Sequence, residues 1–432
     1  MFLLYDLIWV LLFPLVLPCH LLMAYLRGKP RRGLRERFGF YPPEVLKLLQ
    51  GKKVLWVHAV SVGETRAAVP LLKVLKEHYP EHLLVLSHVT ETGRNIAQGI
   101  QEVDLCLFFP YDISWVVKRV LRQLRPSLIA IVETEIWPNL VHRAESGGVP
   151  VVLVNGRISD RSFPRYRLLR HWLRPVLDCF SSFCMQSEQD AVRIRALGAS
   201  AERVQVTGNL KFDMNIDSST VTDSQQLRHA LRLPTAGSVL VAGSTHEGEE
   251  RLIAEVFGRL RHAGFELSLV MAPRHPERCT AVAEVLSSCG LEVRLASGIS
   301  TQSPPLTTGE VLLIDSVGQL LKYYAAADLI VVGGSFVPIG GHNILEAALV
   351  GKPVLFGPYM ANFKDIARKV LEGGAGVQVT QGEELFRALW RLLEQPTNGQ
   401  AMGECGKALL AQNKGATALT LARIEKTLAS CP

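Results

Sequence analysis

The chain has 432 residues, which is more than one ordinary domain holds and favours two or three domains. Its composition, 48% hydrophobic and 20% charged, is that of a globular protein and excludes a mainly disordered or collagen-like chain. The formal net charge of +7 suits nucleic acid, an anionic membrane or a phosphorylated substrate. No basic tract is interleaved with aromatic residues and no zinc-finger spacing occurs, so nucleic acid is the least favoured partner.

Residues 2–25 form an almost unbroken apolar run, long enough for a helix that crosses a bilayer core. Six Lys or Arg residues follow between Arg27 and Arg37, which predicts that this side stays cytoplasmic. A cleaved signal peptide is the alternative, but its charges would precede the apolar run. We therefore predict a membrane-anchor helix over residues 1–26 and a basic juxtamembrane segment over 27–52. The run is interrupted at Asp6, Pro14, Pro18 and His20, so the helix is expected either to span the bilayer or to lie at its interface.

After the basic segment, short apolar runs alternate with amphipathic helical patterns, which predicts a parallel sheet covered on both faces. A polar stretch around residues 212–220 predicts a linker, after which the same alternation begins again. We therefore predict an α/β protein with two Rossmann-like domains, residues 53–213 and 214–402, followed by a C-terminal helix over 403–432 that is expected to pack back on the first domain. Predicted strands of the first domain are 54–60, 83–89, 105–110, 128–134, 149–155, 183–187 and 203–209; those of the second are 238–244, 267–273, 291–297, 310–316, 328–334, 352–358 and 376–379.

Ligands of open parallel sheets bind at the carboxyl ends of the strands, so polar residues there are the candidates for a site. Glu64 follows the first predicted strand and opens a helix, where it is either a base that takes a proton from a substrate hydroxyl or a plain helix cap. Glu133 and Glu135 lie around the end of the fourth strand, where they either form an acid/base pair or belong to a solvated loop. Lys211 lies at the end of the first domain, where it is either a partner for a phosphate or carboxylate or simply an exposed lysine.

In the second domain, three strand ends carry small or cationic residues. Arg274 is a candidate clamp for phosphate or carboxylate, because its guanidinium presents a fork of donors and Pro273 and Pro276 make the segment rigid. The glycine-rich stretch 333–341 leads to Asn343, the predicted N-cap of a helix over 344–350, with Glu346 at its third position. These glycines either make a tight turn or build an anion site that suits a nucleotide phosphate.

Several motifs are absent. Without a dinucleotide-binding glycine motif, a Walker A loop, H-E-x-x-H or G-x-S-x-G, the chain is not expected to be a nicotinamide dehydrogenase, P-loop NTPase, zincin or α/β-hydrolase. The eight cysteines include no C-x-x-C pair, so we expect reduced thiols and no metal site.

Taken together, these residues resemble the family of 3-deoxy-D-manno-octulosonic acid (Kdo) transferases of lipopolysaccharide assembly. The resemblance runs along nearly the whole chain. It rests on the apolar N-terminus and on HAVSVGET, ETEIWPNL, GNLKFD, STHEGEE, MAPRHPER and GGSFVPIGGHNILEAA.

The resemblance implies a glycosyltransferase B fold, with two Rossmann-like domains facing each other across a cleft. It implies CMP-Kdo as donor, a lipid A precursor (lipid IVA) as acceptor, inversion at the anomeric carbon, and no metal or other cofactor. It places the protein at the bacterial inner membrane with its catalytic body on the cytoplasmic side. Glu64 would be the catalytic base, and Glu133, Glu135 and Lys211 would lie on the acceptor side or support the reaction. The residues that match CMP-binding segments are Pro273, Arg274, Val317, Gly318, Gln319, Asn343, Ile344, Leu345 and Glu346. Among them, Gln319 stands where many relatives are expected to have an acidic residue.

Two alternatives stay open at this point. One is another membrane-anchored glycosyltransferase, or an epimerase of the same fold, that uses a UDP-sugar. The other is a nucleotide-sugar-binding protein without catalysis.

Overall fold

The computed structural model of the chain describes residues 1–26, 33–214, 224–300, 302–307 and 309–430. The predicted basic run as far as residue 32, and the predicted linker after residue 214, lie outside these ranges. The chain divides into two compact units, the first comprising residues 1–214 and 413–432, the second residues 215–412.

The first unit is built on a parallel sheet with the strand order β3-β2-β1-β4-β5-β6-β7. Its strands are β1 (Lys53–His58), β2 (His82–His88), β3 (Leu105–Phe108), β4 (Pro126–Val132), β5 (Val151–Gly156), β6 (Ser182–Met185) and β7 (Val204–Val206). Its helices up to this point are α1 (Phe2–Leu26), α2 (Leu34–Arg37), α3 (Pro43–Leu49), α4 (Val62–His78), α5 (Glu91–Ala97), α6 (Ser114–Leu124), α7 (Pro138–Ser146), α8 (Phe163–Leu168), α9 (Arg170–Leu177) and α10 (Glu188–Leu197).

The second unit has the same plan, a parallel sheet with the order β10-β11-β9-β8-β12-β13-β14. Its strands are β8 (Ser238–Thr245), β9 (Leu267–Pro273), β10 (Glu292–Leu295), β11 (Glu310–Leu313), β12 (Leu329–Val332), β13 (Val354–Phe356) and β14 (Gly376–Gln378). Its helices are α11 (Ser224–Ala230), α12 (Glu249–His262), α13 (Cys279–Ser288), α14 (Leu320–Ala326), α15 (Leu345–Leu349), α16 (Lys364–Glu372), α17 (Gly382–Glu394) and α18 (Pro396–Asn413).

Both faces of the first sheet are buried, as its continuous apolar strands predict. Successive side chains of a strand point to opposite faces, so β1 sends Val54 and Trp56 into one core and Leu55 and Val57 into the other. The two cores are covered by helices on either side.

The last helix, α19 (Ala416–Ala429), belongs to the first unit. Its Ile424 is buried in the same core as Leu71 of α4. The backbone N–H groups of Gly415 and Thr417 donate to the carboxylate of Asp213, with N···O distances of 2.8 and 2.5 Å. The chain therefore returns to its first unit at its end. The predicted start of this segment, residue 403, lies inside α18.

The N-terminal helix α1 is fixed to the first unit by one charged side chain. The carboxylate of Asp6 accepts hydrogen bonds from the Ser114 backbone N–H at 3.1 Å, from the Ser114 hydroxyl, and from the Asn139 amide at 2.8 Å. On the same side, the rings of Phe2 and His142 stack with centroids 3.9 Å apart. The charge that interrupts the apolar run is thus the group that docks the helix.

Away from the docked side, α1 exposes a band of large apolar side chains: Leu3, Leu4, Leu7, Ile8, Val10, Leu11 and Leu12. Among the helices in the described ranges, none has both the length and the apolarity needed to cross a membrane. The anchoring role predicted for residues 1–26 stays a prediction.

Candidate active site

Glu64 lies in the first turn of α4, directly after β1, at the carboxyl edge of the first sheet. Ser61 is the N-cap of this helix, and its hydroxyl donates to Glu64 Oε1 at 2.8 Å. The Val60 backbone N–H donates to Glu64 Oε2 at 2.6 Å. Glu64 therefore takes part in capping α4, which is one of the two roles considered for it from the sequence. Its carboxylate is also held in one defined position.

The environment of Glu64 raises the pKa of its carboxyl to about 7. Burial is the main cause, since it disfavours the charged form, and the negative charges of Glu133 and Glu135 add to it. The hydrogen bonds from Val60 and Ser61 act in the opposite direction. A carboxyl group with a pKa near neutrality is suited to take up and release a proton at physiological pH.

Glu133 follows β4, and Lys211 lies in a short 3-10 helix at the end of the first domain. Lys211 Nζ and Glu133 Oε1 are 3.2 Å apart, in an ion pair that is mostly buried. Glu133 has a positive φ of 59°, which is uncommon for a residue with a side chain and marks a locally strained turn. The structure thus brings three of the predicted residues, Glu64, Glu133 and Lys211, to one edge of the sheet. Burial and the charge of Glu133 raise the pKa of Glu135 as well.

Asn155 is a residue of this site that the sequence analysis did not identify. It is fully buried in β5 with a positive φ of 54°, and its Oδ1 accepts a hydrogen bond from the Leu210 N–H at 3.0 Å. The Gln186 side chain donates to its backbone carbonyl and, through Oε1, accepts from the Asn209 amide. These contacts position the turn that carries Lys211. A buried asparagine inside an apolar strand was the available signal.

In the second unit, the predicted donor-binding segments follow three strands of one sheet, of which β11 and β9 are neighbours and β12 is separated from β9 by β8. Pro273 and Arg274 end β9, residues 317–319 follow β11, and residues 343–346 follow β12. Of these residues, Pro273, Ile344 and Leu345 are buried and Arg274, Gln319, Asn343 and Glu346 are partly buried, whereas Val317 is 67% exposed and Gly318 is exposed with a φ of 88°. Because carboxyl ends of parallel strands share an edge, these segments lie along the same side of the unit.

The glycine-rich loop after β12 is pinned by Glu249, which is fully buried at the start of α12. Its carboxylate accepts hydrogen bonds from the backbone N–H groups of His246, Gly334, Ser335 and Phe336, at 2.7 to 3.1 Å. A side chain at Gly333 would place its Cβ 2.7 Å from the Ser244 carbonyl oxygen, so this position requires glycine. The loop is therefore a fixed element that connects the ends of β8 and β12.

The helix after this loop differs from its prediction. α15 comprises Leu345–Leu349, and its N-cap is Ile344, which makes no side-chain cap bond. Asn343 Oδ1 instead accepts from the Leu345 N–H at 3.2 Å, in a turn that precedes the helix. The helix begins one residue later than predicted, but the bond from the Leu345 N–H to the Asn343 side chain is the kind of capping bond that was predicted for Asn343.

One group of potential metal ligands occurs within the described residues, formed by His142, Glu145 and Cys179. Their ligand atoms lie within 4.8 Å of one another, but His142 stacks on Phe2. Burial and the nearby charge of Glu145 raise the pKa of the Cys179 thiol to about 11, so the thiol stays protonated. We assign no metal to this group.

The comparison with protein families gives one match. Residues 32–214 match the model of the family described as "3-Deoxy-D-manno-octulosonic-acid transferase (kdotransferase)". Over 386 residues the chain is 36% identical to a 3-deoxy-D-manno-octulosonic acid transferase of Bordetella pertussis, and the match covers 87% of each protein.

Solved structures of similar fold include the UDP-GlcNAc 2-epimerase of Neisseria meningitidis, with a TM-score of 0.58 and 15% identity over 87% of this chain and all of that one. A glycosyltransferase of Rickettsia africae matches with a TM-score of 0.57 and 13% identity, over 88% of this chain and all of that one. At these identities the similarity shows the fold alone, which is that of two-domain α/β proteins of the glycosyltransferase B type.

Proposed function

The chain belongs to the family of 3-deoxy-D-manno-octulosonic acid transferases, and from that premise we propose that Glu64 is the base that activates the acceptor. The protein is a glycosyltransferase that transfers Kdo in lipopolysaccharide biosynthesis. The observation that carries the proposal is the geometry of Glu64: a half-buried carboxylate at a strand end, fixed by two donors and with a pKa of about 7.

In the proposed reaction Glu64 takes the proton of an acceptor hydroxyl. The hydroxyl oxygen then forms a bond to the anomeric carbon of Kdo, while the bond from that carbon to the phosphate oxygen breaks and its electron pair leaves with CMP. Direct displacement inverts the anomeric centre. General base catalysis of this kind contributes roughly 10²–10⁴-fold in rate.

Lys211 supplies a positive charge close to the base, held in place by Glu133. A fixed cation at this edge stabilises negative charge that develops during transfer, and it needs no reorganisation when the reaction occurs. We assign to the Lys211–Glu133 pair this supporting role, and to Glu135 a place on the acceptor side.

The donor in this proposal is CMP-Kdo, bound along the carboxyl edge of the second sheet. Arg274 lies there at the end of β9, tied to β8 through its backbone N–H, which donates to the Thr245 carbonyl at 2.9 Å. Its guanidinium matches the geometry of phosphate and carboxylate. With Pro273, residues 317–319 and residues 343–346, it forms the proposed CMP site. No step of this chemistry requires a metal or another cofactor.

The acceptor in this proposal is a lipid A precursor, which stays in the bacterial inner membrane, so the enzyme has to work at that surface. The exposed apolar band of α1 supports an interfacial position of this helix, on the cytoplasmic side. Its neighbourhood adds aromatic and basic groups, since Phe13 packs on Phe38, Phe38 stacks on the half-exposed Trp115, and Arg119 covers the rings of Trp115 and Phe40. Aromatic and cationic side chains are favoured at membrane interfaces.

The direct experiment combines purified full-length protein with CMP-Kdo and lipid IVA. Mass spectrometry of the lipid counts the Kdo residues added, and release of CMP measures turnover. We expect transfer from CMP-Kdo and no release of UDP from UDP-sugars. Turnover of a UDP-sugar, or absence of transfer from CMP-Kdo, would exclude the proposed donor.

The role of Glu64 is tested with Glu64→Gln, which keeps the size of the side chain but cannot accept the proton. We expect kcat to fall by about 10²–10⁴-fold while CMP binding and folding stay near wild type. Glu188→Gln is the matched control, since Glu188 is also a first-turn glutamate after a strand of this sheet but is exposed. Near-normal turnover of Glu64→Gln would remove Glu64 from the catalytic role.

A further inference from the structure

His246 and His342 lie at the topological switch point of the second sheet, where the strand order reverses. Strand β8 is the first of the sheet, β9 lies on one side of it, and β12 lies on the other. In open α/β sheets, ligands bind in the crevice at such a point, outside the carboxyl ends of the strands. His246 directly follows β8, and His342 lies in the loop after β12, so the two side chains meet over this crevice.

The two imidazoles are hydrogen-bonded to each other. Their Nε2 atoms are 2.9 Å apart, and the rings are nearly parallel, with an interplanar angle of 10°. Both side chains are partly buried. In this bond one Nε2 donates and the other accepts. Each Nε2 is therefore occupied by the other ring, although either could bind a ligand instead.

Their backbones are fixed before any ligand arrives. Glu249 accepts a hydrogen bond from the His246 N–H and from three N–H groups of the loop that leads to His342. At Gly334 a side chain would place its Cβ 2.5 Å from a carbon of the His342 ring. Only glycine therefore lets this imidazole lie against the loop, and the crevice is preorganised around the pair.

The surroundings of the pair favour an anion. The charged and titratable groups near it are Arg274 and His275 after β9, Arg278 before α13, and Glu249 and Glu250 on α12. The two carboxylates are already engaged, Glu249 by backbone N–H groups and Glu250 by Arg278 at 2.8 Å. Burial, and then the neighbouring cations, lower the pKa of His246 to about 4. Burial disfavours a charge of either sign, so it is the positive charge of Arg274 and Arg278 that favours a negatively charged oxygen here.

We propose that His246 and His342 bind the phosphate of the nucleotide donor, each donating an Nε2–H to a phosphate oxygen. The ring that accepts in the mutual hydrogen bond moves its proton from Nδ1 to Nε2 when that bond is given up. This inference rests on the proposed function, which places the donor at this edge. The same two donors then face the charge that moves onto the phosphate when the bond to the anomeric carbon breaks and CMP leaves. β8 is the central strand of this sheet, and none of the predicted donor-binding residues follows it. His246 would supply a donor-binding residue at the end of this strand too.

The test compares binding of CMP and cytidine to the full-length enzyme by isothermal titration calorimetry, since the two ligands differ only by the phosphate. Asparagine and glutamine are introduced separately at each histidine. The glutamine amide reaches the position of Nε2, whereas the shorter asparagine amide does not. We expect His246→Asn and His342→Asn to weaken CMP binding by about tenfold or more without changing cytidine binding, and the glutamine variants to recover part of the loss.

His262→Gln is the matched control, because His262 is an exposed histidine at the far end of α12 and should leave both affinities unchanged. Thermal unfolding of each variant shows that it is folded. Equal losses for CMP and cytidine, or unchanged CMP binding in folded variants, would overturn the inference while the donor assignment stands. Wild-type enzyme that binds neither ligand would contradict the donor assignment and this inference together.

Discussion

At the scale of single residues, Glu64 serves the fold and, in our proposal, also the chemistry. The Val60 N–H and the Ser61 hydroxyl donate to its carboxylate and orient it, and the same Ser61 oxygen accepts from the Glu64 N–H at the start of α4. Burial next to two other carboxylates then makes its ionised form unfavourable. Since the pKa is raised from its ordinary value of 4.5 to about 7, this carboxyl lowers the stability of the fold progressively as pH rises from about 4.5 to about 7. The cost is fully present above about 7 and absent below about 4.5.

The pH dependence of transfer should follow from the same charges. With Glu64 as the base, activity falls as pH drops through about 7, because the carboxyl becomes protonated. Glu133→Gln removes a neighbouring negative charge and leaves Lys211 nearby, so the pKa of Glu64 should fall and the acid limb of the kcat profile should move to lower pH. The profile is measured from pH 5 to 9 with saturating substrates, and the plateau is expected to be lower because Lys211 loses its partner.

Glu135→Gln provides an internal comparison. Glu135 contributes less than Glu133 to the raised pKa of Glu64, so its removal should shift the limb in the same direction by a smaller amount. An acid limb that stays in place in Glu133→Gln, or that moves to higher pH, would show that the limb reports a group other than Glu64.

The sequence pattern identified part of the candidate site but not the residues whose roles depend on contacts between distant segments. Glu64, Glu133 and Lys211 follow apolar strands and could be selected from the sequence alone. An asparagine inside an apolar run was a signal for Asn155, but the role of Asn155 and the pairing of His246 with His342 depend on contacts between segments far apart in the sequence. The two histidines are 96 residues apart and become neighbours only through the order of strands in the sheet.

At the scale of elements, apolar runs located the strands of both sheets, but their ends were set by backbone conformation. The fourth strand was predicted over residues 128–134, whereas β4 ends at Val132. Glu133 adopts a positive φ, which departs from strand geometry, and β4 ends at the residue before it. Periodicity reports which side chains are buried and does not report φ, so strand ends at a functional edge are where such predictions fail.

Helix α1 presents two different surfaces. Asp6 and the aromatic side chains dock one side, and the other exposes leucines at positions one helical turn apart, such as Leu7 and Leu11. An apolar surface of this kind is costly in water and is expected to be covered in the working enzyme. In our proposal the covering material is the membrane interface.

We predict that replacing Leu7 and Leu11 by Asp weakens membrane binding without unfolding the protein. Both side chains are more than half exposed, at 52% and 62%, so the fold does not depend on them. Burial of a leucine contributes roughly 1.5–3 kcal/mol, so loss of two should reduce binding by about tenfold or more. Flotation with vesicles that contain anionic lipid measures the bound fraction.

The control for this experiment is Leu419→Asp on α19, another exposed leucine of the same unit, at 47%. It should leave flotation unchanged. If the double variant floats as the wild type does, α1 does not provide the membrane contact.

At the scale of the whole molecule, the chain completes its first unit with its last helix. α19 packs on α4, the helix that carries Glu64, and Asp213 fixes its start from the end of the first domain. The sequence analysis expected a C-terminal helix that packs back on the first domain, but apolar periodicity does not identify the surface of that domain on which it packs. The stability of the unit that holds the proposed base is therefore expected to depend on residues at the opposite end of the chain.

Ile424→Ala tests this dependence. Ile424 is fully buried against α4 and the first sheet, so its truncation leaves a cavity and should lower the free energy of unfolding of the first unit by about 2–5 kcal/mol. Urea unfolding followed by tryptophan fluorescence reports this unit, because Trp390 is the only one of the six tryptophans that lies outside it. Leu419→Ala, on the exposed side of the same helix, should change the value by less than about 0.5 kcal/mol. Equal and small effects of the two substitutions would show that α19 adds little to the core around α4, and that the catalytic edge is held by the N-terminal segment alone.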